Sequence, residues 1–190
     1  MLVNCAEGTI APYVPSTAMP WDKKRVLHLY RRLGFGASIE ELQTALTMNP
    51  SDLIDQMLDA AIAEPLWDEP YWSAYGYAEF DDFEQNYRFA SDWITNFVRA
   101  LPEKGLREKM VLFWSNHFVT EFEAYEMSSF LYQYHTTLMT YAFGNFKDFT
   151  HDIGLTAAML VYLNGAQNTA ESPNENYARE LYELFTLGQN

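Results

Sequence analysis

Phe83-Glu84-Gln85-Asn86-Tyr87-Arg88-Phe89-Ala90-Ser91-Asp92-Trp93-Ile94-Thr95-Asn96-Phe97-Val98-Arg99-Ala100-Leu101 places apolar residues at Phe83, Tyr87, Ala90, Ile94, Phe97 and Leu101. Their spacings alternate between four and three residues, the period of an α-helix with one face in a core. A strand would repeat every second residue. Pro102 reads as the end of this helix, because its ring lacks an N–H and collides with the preceding turn.

The same period continues on both sides. Leu106, Met110, Phe113, Trp114 and His117 share a face of the next helix. Met127, Phe130, Leu131, Tyr134, Leu138 and Tyr141 line another. Upstream, Trp21 to about Leu33 reads as a helix with Val26, Tyr30 and Leu33 on one side, broken by Gly34 and Gly36. Ser38 and Glu41 form a capping box for a helix toward Leu46, and Ser51 reads as the cap of one reaching about Ala63. Downstream, Asn145 caps a short helix before Gly154, and residues 155–163 form an apolar helix stopped by Asn164-Gly165. Strand-like alternation and internal repeats are missing. The expected fold class is all-α, a multi-helix bundle of roughly eight helices over residues 21–190. Residues 1–20, with Pro12, Pro15 and Pro20, read as an irregular lead-in.

Composition bounds the function. A chain of 190 residues, 48% hydrophobic with 13 Tyr, 13 Phe and 5 Trp, has ample material for one core. A net charge of -14 speaks against nucleic acid and against anionic membrane surfaces, both of which require accumulated Lys and Arg. No apolar run approaches a membrane span, so no membrane insertion is expected. Met1-Leu2-Val3-Asn4-Cys5-Ala6-Glu7 lacks the basic and apolar regions of a secretory signal. Cys5 is the single cysteine, which rules out an intrachain disulfide. Lys23, Lys24, Arg25, Arg31 and Arg32 are five of the 12 basic residues, and read either as a solvated helix face or as a docking patch for an acidic partner.

The last segment is the densest in signals: Ser172-Pro173-Asn174-Glu175-Asn176-Tyr177-Ala178-Arg179-Glu180-Leu181-Tyr182-Glu183-Leu184-Phe185-Thr186-Leu187-Gly188. Ser172 and Glu175 form a capping box, Pro173 suits the first helical position, and Gly188 suits a left-handed cap. Tyr177, Leu181, Leu184 and Phe185 form an apolar stripe. Asn176, Arg179, Glu180 and Glu183 lie opposite, with Glu175–Arg179 and Arg179–Glu183 spaced for ion pairs.

This segment resembles the hallmark of the bacterial domain of unknown function 1800 family. His28-Leu29-Tyr30-Arg31-Arg32-Leu33-Gly34-Phe35-Gly36, Lys109 to Phe118 and Ala158 to Asn164 resemble that family in the same order. The resemblance implies the N-terminal part of a larger protein, relatives that are often exported, and no established biochemical activity. It also implies that a histidine often stands where this chain has Ser115, which weakens the case for a paired-histidine metal site.

Three groups are candidates for function. His117 is four residues before Glu121, and reads either as a core histidine or as a ligand or proton carrier. Glu180 and Glu183 could offer two carboxylates to a cation or to acid–base work, whereas Asn174, Glu175, Asn176 and Arg179 could bind a ligand or fix a fold. Trp67, Tyr71 and Trp72 lie among Asp68, Glu69, Glu79 and Asp81, as a binding platform or as a loop folded over its own core. Asp148-Phe149-Thr150-His151 is a weak approach to a di-iron pattern, and no metal site is read. Nucleophile elbows, zinc-protease motifs and phosphate loops are missing, and no cofactor is specified. Two functions follow: a helical structural or interaction module with a protein partner, or a hydrolase or metal-dependent enzyme. The enzyme would combine His117, Glu180 and Glu183 with residues beyond Asn190.

Overall fold

The computed structural model describes residues 11–188, so Cys5 and residues 1–10 of the expected lead-in lie outside the described residues. Among the described residues the fold is all-α, with no strand. The helices are α1 (Lys23–Leu33), α2 (Ile39–Thr47), α3 (Pro50–Ala63), α4 (Phe83–Lys104), α5 (Leu106–His117), α6 (Phe122–Tyr125), α7 (Ser128–Thr140), α8 (Phe146–Gly154), α9 (Ala157–Tyr162) and α10 (Asn176–Glu180). The last continues as a π-helix over Leu181–Thr186.

Local chemistry starts most of these helices. Ser38 and Glu41 make both halves of the capping box on α2. Asp22, Asp82, Asn145 and Thr156 accept hydrogen bonds from first-turn N–H groups of α1, α4, α8 and α9. On α3 the cap is Asn49 rather than Ser51, because Pro50 takes the first helical position and Asn49 Oδ1 accepts from Ser51 N.

Helix α4 departs from its sequence reading in two respects. Its buried face is Asn86, Ala90, Trp93 and Phe97, while Phe83, Tyr87 and Ile94 are exposed. The helix is turned toward Asn86 because that amide has partners only there. Asn86 Nδ2 donates to Glu126 O at 2.6 Å, and its Oδ1 accepts from Ser128 N at 2.7 Å. An amide so deeply buried must be paired. The second departure is that α4 runs through Pro102 to Lys104. The helix passes through at the cost of one bond of its ladder, since Pro102 has no N–H to offer the carbonyl four residues back. The chain stops instead at Gly105, whose φ of +80° favours glycine.

Helix α7 lies at the centre, packed against α4, α5, α8 and α9. Phe118, Met127, Leu138, Phe149, Ile153 and Met159 are enclosed around it. Helices α1 to α3 hold a smaller cluster of Val26, Ala45 and Leu53. The indole of Trp21 donates to Ala45 O at 2.8 Å and closes that cluster. Arg107 ties it to the main body by donating from Nη2 to Ile62 O at 3.1 Å. Among the described residues no helix is long and apolar enough to cross a membrane.

Candidate functional site

The terminal segment begins later than the capping box predicts. Helix α10 starts at Asn176, and its N-cap Glu175 makes no side-chain cap bond. Asn174 organises the entry instead: its Oδ1 accepts from Asn176 N at 2.9 Å, and its own N–H donates to Asn168 Oδ1 at 2.9 Å. Such an Asx turn competes with a serine cap two residues upstream. The expected ladder is also replaced. Arg179 Nη2 donates to Asn176 Oδ1 at 2.6 Å and to Glu180 Oε1 at 3.1 Å. Asn176 Nδ2 reaches Leu163 O at 3.2 Å, and Tyr177 O–H donates to Thr150 O at 2.6 Å. The segment is therefore bound to α8 and to the end of α9 by its own polar side chains.

Tyr177 seats the segment against Gly154, because a Cβ at Gly154 would collide with Cζ and the hydroxyl oxygen of the tyrosine. Gly154→Ala should displace Tyr177, break its bond to Thr150 and lower stability by about 2 kcal/mol. A chemical-denaturation cycle with Tyr177→Ala checks this. The two losses should be strongly non-additive, and simple additivity would refute the contact's role.

The π-helix then redistributes the apolar stripe. Leu187 N donates to Tyr182 O at 3.0 Å, five residues back. The wider turn brings Phe185 into the core and leaves Tyr182, Leu184 and Leu187 exposed at 60%, 59% and 77%. Glu180 and Glu183 are half-buried on the inner side. Gly188 has the left-handed φ, +78°, expected of a helix cap.

His117 touches this same segment. Its Nε2 lies 2.7 Å from Phe185 O. A carbonyl only accepts, so Nε2 carries the proton and donates. The pairing of His117 with Glu121 along a helix does not form, since α5 ends at His117 and Glu121 precedes α6. Ser115 O–H donates to Leu112 O within its own helix.

The aromatic loop divides. Trp72 is buried and stacks on Phe89 with centroids 5.4 Å apart, and Trp67 packs edge-on against Trp93 at 5.2 Å. Tyr71 is 73% exposed, with its ring edge-on to Tyr75 and Phe89. The basic cluster stays at the surface, with Lys23, Lys24, Arg31 and Arg32 exposed and Arg25 3.4 Å from Asp22.

Two arrangements were not legible in the sequence. One is a cleft of about 580 Å³ in which Asn174, Tyr177 and Leu181 of the terminal segment face His151 and Asp148 of α8. Beside it, Tyr141 O–H donates to Asp152, whose other oxygen lies 2.8 Å from His151 Nδ1. Those bonds, that of Tyr141 foremost, hold the Asp152 carboxyl below its ordinary range. The other is His135, 3% exposed on α7, whose Nδ1 accepts from Trp93 Nε1 at 3.1 Å. Desolvation lowers its pKa from 6.5 to about 4. The apolar period of α7 conceals this residue, because His135 sits beside the stripe rather than on it. Among the described residues no three His, Cys, Asp or Glu side chains converge to hold a metal ion.

A family model described as "Protein of unknown function (DUF1800)" matches residues 28–190. Comparison with curated proteins and with solved structures found no match. The family match spans all but the first 27 residues and includes the terminal segment whose hydrogen bonds are described above. The chain belongs to the DUF1800 family of proteins of unknown function.

Proposed function

We propose that this chain is a helical scaffold and interaction module whose terminal segment presents an apolar face to a protein partner. The observation that supports this reading is the division of labour within that segment. Asn174, Asn176, Tyr177 and Arg179 are engaged in hydrogen bonds within the protein, so they hold the segment in place. Tyr182, Leu184 and Leu187 point outward at 60%, 59% and 77% exposure. Large apolar side chains left exposed on an anchored element are a usual feature of a protein contact.

The test is a photo-crosslinking residue placed at Leu187 of the full-length protein in its native cell, with Asp59 as an exposed control. A discrete crosslinked protein is expected from position 187 alone. With the crosslinker kept at position 187, Tyr182→Glu with Leu184→Glu should remove it while changing stability by less than about 0.5 kcal/mol. No crosslink, or the same products from both positions, would reject the proposal.

The second reading is an enzyme using His117, Glu180 and Glu183. It is favoured by one contact, the 2.7 Å bond that brings His117 against the terminal segment. For that chemistry Nε2 would have to leave the Phe185 carbonyl. Glu180, held by Arg179, would have to become free to accept a proton.

A further inference from the structure

Helices α4, α5, α6 and α7 leave between them a groove of about 570 Å³, within the usual size of a small-molecule site. Its wall on α4 includes Ile94 and Val98, 38% and 56% exposed, and Leu112, Phe122 and Leu131 face them. Glu123 is the charged residue on its lining, and no Lys or Arg contributes. An anionic ligand would find nothing to neutralise it there.

His135 lies on the floor of this groove and supplies a polar feature with no internal explanation. The Trp93 indole can only donate, so Nδ1 of His135 is the acceptor and Nε2 carries the ring proton. That Nε2–H is buried and has no hydrogen-bond partner. Leaving a buried donor unpaired costs free energy that a bound acceptor would recover. His135 is part of the groove lining, whereas Trp93, which holds its Nδ1, is not. Ile94 and Val98 are exposed enough to change rotamer over an incoming molecule.

We propose that this groove binds an uncharged apolar molecule carrying a carbonyl, with the carbonyl oxygen accepting the Nε2–H of His135. An ester or amide of an apolar acyl or aromatic group has this chemistry. The site is separate from the terminal segment, and its test does not depend on a protein partner.

The probe is prodan, an uncharged naphthalene bearing one ketone, titrated by fluorescence against the full chain. The control is the same dimethylaminonaphthalene without the ketone. Saturable binding is expected, with the ketone probe tighter by roughly five- to tenfold, the worth of one hydrogen bond. His135→Phe should bring that ratio to about one, and Val98→Glu should weaken both probes at least about tenfold. Absence of saturable binding overturns the proposal, as does an unchanged ratio in His135→Phe or native affinity in Val98→Glu. Should His135→Phe fail to fold, the nitrogen resonance of His135 Nε2 in the native chain supplies the readout. It must move with prodan and not with the ketone-free control; equal responses overturn the proposal.

Discussion

Phe118→Ala is expected to lower the unfolding free energy by about 3–5 kcal/mol, the range for truncating an enclosed aromatic. Phe118 is 0% exposed and follows directly on α5. Its ring meets Phe149 of α8 and Phe185 of the terminal segment, both at 4.9 Å between centroids. Trp114 and Phe146 lie at 6.0 and 6.2 Å. The backbone there is fixed as well, because Tyr134 O–H donates to Phe118 O at 2.6 Å. Alanine would leave a cavity bounded by three separate elements, which cannot close over it together. Urea denaturation followed by tryptophan fluorescence measures the loss. A cost below about 1 kcal/mol would show that the terminal segment is not anchored through this ring.

Acidification supplies the second large effect. The surroundings of His135 are Trp67, Trp93 and Phe97, so burial disfavours its charged form, and its pKa falls from 6.5 to about 4. Protonation would also set an Nδ1–H against the donor N–H of Trp93. Between these two values the unfolded ring binds a proton that the folded ring refuses. Stability therefore falls as pH drops from about 6.5 to about 4, by about 3 kcal/mol from this group. Below about pH 4 both states are protonated and the contribution stops growing. Denaturation curves across that window, for the native chain and His135→Phe, check the sign and the size. The variant starts lower, since Trp93 Nε1–H loses its partner, but its slope should be shallower by that amount. Parallel slopes would refute the assignment.

Helical class, the number of main helices and most of their ends were legible because they depend on near neighbours. A period of three and four, an oxygen before a first turn, or a glycine after a last one acts within a few residues. The orientation of α4 was not. Phe83, Tyr87 and Ile94 satisfy the helical period as well as Asn86 and Trp93 do, and hydrophobicity favours the first set. Asn86 faces inward because the α6–α7 connection offers it a carbonyl and an N–H, which lie some 40 residues away.

The candidate residues show the same division. The family match extends over residues 28–190, the terminal segment included, and Gly188 has its predicted left-handed φ. Several of its partners came from elsewhere in the fold: Leu163 O for the Asn176 side chain, Thr150 O for the Tyr177 hydroxyl and Asn168 Oδ1 for the Asn174 backbone N–H. Likewise His117 was visible as a histidine on an apolar face, but its bond to Phe185 spans 68 residues. Sequence alone determined that this chain folds as helices and which family it belongs to, since the helices are written in local spacing and the family match is made to the sequence of residues 28–190. Which faces are buried, which donors find acceptors, and that His135 keeps an unpaired N–H beside an apolar groove were decided by tertiary packing. Burial and hydrogen-bond pairing are properties of surfaces that meet only once the chain has folded.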